Sequence, residues 1–397
     1  MIEKIDKKAI FIIDKLNSNG FEAYLVGGCV RDLLIGRKCY DYDITTNALP
    51  LDVKGIFSDF QIYSVGEKFG TVGIVIDDMV YEITTYRSEK KYINHRKPNN
   101  VKFEKNIESD LSRRDFTINA IAYNPINNEL IDYFNGVSDI NDGIIKSVGD
   151  SEKRFEEDGI RILRALRFSS QLGFKIEEKT KNAIYKLYNN ALDTSFERRA
   201  IEIVKLIKGK NFKEVLIEYK DILNCFLDIF KYDDYIKYID NYDFEILIMI
   251  MYYNHIDIIE KDLSLLQINK KNIYKLKTMC LILNKIDFSN VVSIRKMLFE
   301  NNNKIKNIEL DFNNILKAYN IINDNDGEKY SENLKSALSV CYSLKDLCIN
   351  GEDLIGIVKK KFISKALNFA LLKVILFECD NNKDDLLKII DEQKEFF

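Results

Sequence analysis

The alternation of polar and apolar positions changes period along the chain. Ile5, Ala9, Ile12, Ile13 and Leu16 share one helical face, which predicts a helix over about residues 3–18. Two short apolar runs follow. Ala23-Tyr24-Leu25-Val26 ends at Gly27-Gly28, and Tyr42-Asp43-Ile44-Thr45 follows a polar loop; both predict strands. Thr71 to Ile76 and Met79 to Thr84 flank Asp77-Asp78, the pattern of a hairpin. Helical segments intervene at about 30–35 and 51–58. From about Glu152 onward helical periodicity dominates. After Leu192 the helix-like segments repeat without a fixed period, which argues against a solenoid.

Chain breakers support the division. All three prolines (Pro50, Pro98, Pro125) and 13 of the 17 glycines lie before residue 175. A turn-rich region followed by a breaker-poor one predicts an α/β head joined to an all-helical body. The 397 residues suffice for two or three domains with a well-buried core. A net charge of -3 gives no global basic field, so any nucleic acid must be held by local patches. The longest clearly apolar run, Ile246 to Tyr253, is too short to cross a bilayer. Residues 1–14 carry charges throughout and lack the apolar stretch of a signal peptide. Seven cysteines, an odd count with no CxxC, fit a reduced cytoplasmic chain better than a disulfide scaffold or zinc ribbon. Two histidines, His95 and His255, exclude an HExxH site.

Four segments could carry chemistry. In Leu25-Val26-Gly27-Gly28-Cys29-Val30-Arg31-Asp32 a strand ends in two glycines and a helix begins. Glycine lets backbone N–H groups approach a phosphate, and Arg31, one turn on, could clamp it. In Asp41-Tyr42-Asp43 the two carboxylates project to one face of a strand. So placed they can hold two Mg²⁺ ions about 4 Å apart, which suits in-line phosphoryl displacement. Glu82, on a neighbouring predicted strand, is a candidate third carboxylate. In Ser112-Arg113-Arg114-Asp115-Phe116-Thr117-Ile118-Asn119 two arginines and an aspartate could bind triphosphate and ribose. In Glu157-Asp158-Gly159-Ile160-Arg161, continuing to Arg164 and Arg167, one helix would bring Asp158, Arg161, Arg164 and Arg167 into a slanted row. Apolar residues interleave with that row, which points to a groove. Each segment alone also has an ordinary explanation: a turn, a solvated strand end, a capped helix start, a salt-bridge ladder.

Together and in this order the four are more specific than any one. The sequence resembles the class II tRNA nucleotidyltransferases, the family of bacterial and eukaryotic CCA-adding enzymes and bacterial poly(A) polymerases. The match is carried by LVGGCVRDLLIG and DYD (25–43), YEITTYR (81–87), RRDFTINAIAY (113–123), EEDGIRILRALRFSSQLGF (156–174) and the looser SFERRAIEIVKL (195–206). It covers about residues 20–210. Cys39-Tyr40 stands where Pro-Lys is common in the family, and Arg199 where an apolar residue is usual.

The resemblance implies an α+β fold. A small polymerase-β-like nucleotidyltransferase α/β head (1–145) would be followed by a helical neck (146–210) and a helical, tRNA-binding body and tail (211–397). It implies that Asp41 and Asp43 hold Mg²⁺ and activate the tRNA 3′-hydroxyl, and that Gly28 and Arg31 contact the triphosphate. Arg114 and Asp115 would contact sugar and phosphates. Asp158 and Arg161 would read the incoming base, supported by Arg164 and Arg167, with Glu157 orienting Arg161. The segment Arg87–Asn100 matches the family's flexible loop. The implied reaction is the addition of C, C and A to tRNA from CTP and ATP without a nucleic-acid template. Poly(A) polymerase, a CC-adding or A-adding enzyme, and an inactive RNA-binding homologue share most of these motifs.

The base-reading role has chemical sense. Cytosine and adenine each present an amino donor beside a ring-nitrogen acceptor, matching a carboxylate and a guanidinium. Uracil and guanine present a ring N–H and a carbonyl, which would set donor against donor. Sites built to pair polar edges reject the wrong partner strongly.

Overall fold

The computed structural model describes residues 5–39, 41–64, 66–93, 97–301, 304, 307–339, 342–393 and 395, and the side chains of these except for 89–100. The chain divides into two compact units, Met1–Ile222 and Leu223–Phe397.

The first unit is built on a seven-stranded mixed sheet of order β3-β4-β5-β2-β1-β8-β9. Its strands are β1 (Ala23–Val26), β2 (Asp43–Thr46), β3 (Gln61–Tyr63), β4 (Thr71–Ile76), β5 (Met79–Thr85), β8 (Ala122–Asn124) and β9 (Glu129–Ile131). The pairing of β2 with β5 is parallel and the other pairings are antiparallel. All four residues of β1 are buried, as a central strand covered on both faces requires. The hairpin between β4 and β5 turns on Asp77 (φ 47°) and Asp78 (φ 64°), the left-handed pair of a tight two-residue turn.

Helix α1 (Lys7–Ser18) buries Ala9, Ile12, Ile13 and Leu16, and Ile5 just before it is also buried. Its N-cap Asp6 accepts from the Lys8 N–H at 2.9 Å and from the Tyr81 hydroxyl at 2.6 Å, which ties the helix start to the sheet. Tyr24 and Val26, at i and i+2 on one face of β1, pack with Tyr86, Ile107, Leu111, Ala120, Ala122 and Val148. Three short helices complete this part: α2 (Gly28–Leu34), α3 (Pro50–Ile56) and α4 (Ile107–Ser112). The segment expected as a loop from Arg87 to Asn100 is instead paired. Strands β6 (Arg87–Ile93) and β7 (Lys97–Phe103) form an antiparallel ribbon, while His95 and Arg96 lie outside the described residues.

After α5 (Gly136–Asp142) the unit is helical apart from one short parallel pair, Ile144–Ile145 with Lys175–Ile176: α6 (Ser151–Glu157), α7 (Ile160–Leu172), α8 (Glu178–Leu187), α9 (Asn189–Leu192) and α10 (Phe196–Ile207). A single helix through Glu157, Asp158 and Arg161 does not form. Asp158 is extended (φ -147°, ψ 103°), and α7 starts afresh at Ile160. The break is set by packing. A Cβ on Gly159 would lie 2.1 Å from the Asn190 carbonyl oxygen, so the chain passes α9 at a distance only glycine permits. The first unit also takes in the helix Phe212–Glu218.

The second unit contains only helical elements among its described residues, the longest being Ile308–Ile322 and Lys270–Leu283. The apolar run noted in the sequence is the interior helix Phe244–Tyr252, whose residues 246–252 are all buried. Buried Asp262 accepts from the N–H groups of Asp228 and Ile229 and from the Tyr252 hydroxyl. No helix among the described residues is long and apolar enough to cross a membrane.

Candidate active site

The site forms where the edges of β2, β5 and β1 meet the start of α2. Tyr42 is buried and its hydroxyl accepts from the Asp6 N–H, so the neighbours Asp41 and Asp43 turn to the opposite, exposed side. The parallel register places Asp43 directly beside Glu82. Protein packed behind Asp43 removes enough water to raise its pKa. Desolvation is the largest cause, the charges of Asp41 and Glu82 add to it, and Arg114 opposes it. Cys39 Sγ donates to the Asp41 carbonyl at 3.0 Å, which ties Cys39 to the residue that opens the site.

These carboxylates are hard oxygen donors, open to solvent and already close in charge. Among the described residues no group of three or more His, Cys, Asp or Glu side chains is gathered to hold a metal ion unaided. Carboxylate oxygens of this kind suit a hard divalent cation that keeps part of its shell as water or ligand oxygen.

Gly27, rather than Gly28, is the conformationally special glycine. Its φ is +79°, and a Cβ there would sit 3.0 Å from Arg114 Nη1 and 3.5 Å from Asp43 Oδ2. Gly27, Arg114 and Asp43 thus converge at the mouth of the site. Arg114 is steadied by Asp110 Oδ2 at 3.4 Å, while Arg113 grips Asp110 Oδ1 at 2.7 Å. Asp110 is fully buried. Burial alone would raise its pKa, but Arg113 and Arg114 outweigh that and hold it below the usual range.

Arg31 is buried. Its Nη1 donates to Asn119 Oδ1 at 2.7 Å, and its Nε and Nη2 donate to Asp32. Asp115, expected beside the nucleotide, is engaged within the protein. It accepts from the Phe116 N–H at 2.8 Å, Asn119 Nδ2 at 3.1 Å and Arg164 Nε at 2.7 Å. Burial is the largest influence on its pKa, yet Arg164 and these hydrogen bonds prevail and depress it strongly. Arg164 also lies 3.6 Å from Glu202, which pairs with Arg167 at 2.6 Å. Desolvation outweighs that pairing and brings the Arg167 guanidinium down to about 10. Arg31, Arg164 and Arg167 surround the ring of Phe168 at 5.0, 5.4 and 4.0 Å.

The helix break changes the fourth segment. Glu157 accepts from Arg161 Nη1 at 2.7 Å, the contact expected of it. Arg161 also donates to the carbonyls of Arg154 and Arg113. Asp158 does not join this row. Its carboxylate is gripped in a fork by Arg198, with Oδ1 to Nη1 at 3.1 Å and Oδ2 to Nη2 at 2.6 Å. Sequence reasoning missed Asp110, Arg198 and Glu202 as members of the site. A signal existed for Arg198: it lies in the first turn of α10, where the helix dipole disfavours cations, so a partner elsewhere was to be sought.

Residues 23–146 match the family model described as the Poly A polymerase head domain. The CCA-adding enzyme of Staphylococcus haemolyticus (strain JCSC1435) is 35% identical over 405 residues, covering 96% of each chain. That of Staphylococcus aureus (strain MRSA252) is 34% identical, covering 98% of this chain and 99% of its own. Among solved structures, the Bacillus stearothermophilus CCA-adding enzyme in complex with CTP superimposes with a TM-score of 0.81 at 27% identity over 98% of both chains. The Thermotoga maritima CCA-adding enzyme complexed with tRNA_CCA shares the fold, with a TM-score of 0.69 at 21% identity over 99% of this chain and 97% of its own.

Proposed function

This chain belongs to the family of CCA-adding enzymes, which are nucleotidyltransferases using divalent metal ions, and from that premise we propose how its residues carry the reaction. The protein adds C, C and A to the 3′ end of tRNA from CTP and ATP without a nucleic-acid template. One observation carries the assignment of the centre: Asp41 and Asp43 open on one side at the start of the central strand β2, with Glu82 in register beside Asp43 and Arg114 near Asp43 across Gly27.

Asp41 and Asp43 would hold Mg²⁺, which would supply Lewis-acid activation of the 3′-hydroxyl and neutralise charge on the phosphates. Arg114 faces the same space and stabilises negative charge there. Gly27 and Gly28 let the backbone approach the triphosphate, with Arg31 behind them. The pair Asp115–Arg164 holds the far wall rigid, so that Arg164 presents its open side to the nucleotide. Asp158 accepts the amino group of cytosine or adenine, and Arg161, aligned by Glu157, donates to the ring nitrogen. Arg167 supports Arg164 through Glu202.

The experiment is incubation with a tRNA that ends at the discriminator base. CTP and ATP are supplied singly and together, and products are resolved to single nucleotides. Three additions that stop are expected. Two additions would mean a CC-adding enzyme, a long A ladder a poly(A) polymerase, and none an inactive RNA-binding homologue.

A further inference from the structure

Arg198 grips Asp158 without itself having a part in the reaction. Asp158 sits at the break between α6 and α7, so no helical neighbour fixes its side chain in the way Glu157 fixes Arg161. Among the described residues three donors hold it: the two ends of the Arg198 fork, at 3.1 and 2.6 Å, and the Ile160 N–H, which donates to Oδ1 at 3.3 Å. The Asp158 side chain is 14% exposed and that of Arg198 36% exposed, so the pair stands at the protein surface of the site and not in the core.

An ionised carboxylate offers about four acceptor positions. Arg198 takes one on each oxygen, and the Ile160 N–H takes the second on Oδ1. Among the described residues no donor takes the remaining position, on Oδ2. A planar, two-point grip also fixes the direction in which that last position faces. We infer that Arg198 is a positioning residue for nucleotide selection: it aims the one open acceptor of Asp158 at the amino group of the incoming cytosine or adenine. The inference rests on the assignment of Asp158 as a base reader. Without Arg198 the carboxylate turns freely and exposes several acceptor directions. It then neither meets the amino group at a fixed angle nor sets a fixed repulsion against the carbonyl of uracil or guanine.

A structural clasp alone would behave differently. Loosening it would lower stability and slow every nucleotide alike. The test uses the full chain with tRNA substrates ending at the discriminator base and at CC. It measures kcat and KM for all four nucleoside triphosphates in Arg198→Met, Arg198→Lys, Asp158→Ala and the double variant Asp158→Ala/Arg198→Met. Arg198→Met is expected to raise the use of UTP relative to CTP, and of GTP relative to ATP, by roughly tenfold, chiefly through a higher KM for the correct nucleotides. Arg198→Lys keeps the charge but loses the fork, and should restore only part of the selectivity. It also provides the comparison if the methionine variant fails to fold. In the Asp158→Ala background, Arg198→Met should change the ratios no further. Wild-type ratios in both Arg198 variants, while Asp158→Ala shifts them, would overturn the inference and leave the base reader in place. So would independent, multiplying effects in the double variant. Unchanged ratios in Asp158→Ala itself would remove the base reader and the inference with it.

Discussion

Replacing Gly159 by alanine sets two physical effects against each other. The glycine has φ -60° and ψ -23°, which alanine adopts without strain. Backbone entropy alone therefore predicts that Gly159→Ala stabilises the protein by about 0.4–1 kcal/mol. Packing predicts the opposite. The new Cβ would lie 2.1 Å from the Asn190 oxygen, 2.3 Å from its carbonyl carbon and 2.8 Å from the Ala191 nitrogen. All three are backbone atoms, so no side chain can swing aside, and either α9 or the α6–α7 junction must move by more than an ångström. Overpacking of this kind costs roughly 1–3 kcal/mol or more. The net expectation is a loss of about 1–2 kcal/mol, or roughly 2–8 °C in the melting of a unit of this size. Urea and thermal unfolding of the variant against the parent, followed by circular dichroism, measure it. The displaced junction also carries Asp158, so selection against UTP should weaken in the same protein. A variant as stable as the parent, or more so, would refute the packing argument and the close passage it depends on.

Three further outcomes follow from the site. Asp43→Ala should lower nucleotide incorporation by at least about a thousandfold, the scale of losing a metal ligand, with folding intact by circular dichroism. Residues 87–114 carry nine Lys and Arg against four Asp and Glu, so if about five phosphates are contacted, tRNA affinity should fall roughly 10²–10³-fold between 50 and 200 mM salt in a filter-binding titration. Asp115 has a depressed folded pKa, so its stabilisation is complete above the ordinary aspartate value of about 4 and fades as pH falls through the lower folded value. Asp115→Asn should cost up to roughly 3 kcal/mol at pH 7, the low end for a broken buried pair because Arg164 is 34% exposed, and the difference from the parent should shrink below about pH 4 in denaturant titrations.

Local signals were legible in the sequence, and long-range partnerships were not. The runs 71–76 and 79–84 alternate and meet at two residues able to take positive φ, and β4 and β5 follow them to within one residue. The stripe from Ile5 to Leu16 is buried as its spacing demands. By contrast, β8 and β9 have three residues each, too few to show a period, and exist because β1 needs a neighbour. The pattern around Asp158 is helical on both sides, and a glycine within such a pattern reads as tolerated. Only the proximity of Asn190 reveals the break. Asp115 reads as a polar site residue until Arg164, from helix α7, is seen to occupy it. The looser segment 195–206 holds two residues, Arg198 and Glu202, whose value lies wholly in what they reach.

The same partnerships order the events of synthesis. Sequence separations of 39 for Thr45 and Thr84, 88 for Arg31 and Asn119, 49 for Asp115 and Arg164, and 40 for Asp158 and Arg198 span the centre. Each is a loop that must close before its contact stabilises anything, which makes this unit slow to fold relative to a local helical bundle. A ribosome delivers the carboxylates first, their neighbouring strand next, the arginines of α7 later and α10 last. A nascent chain therefore completes the strand pairing that sets Asp43 beside Glu82 well before Arg198 can reach Asp158, and that clasp is the last of these four contacts to form.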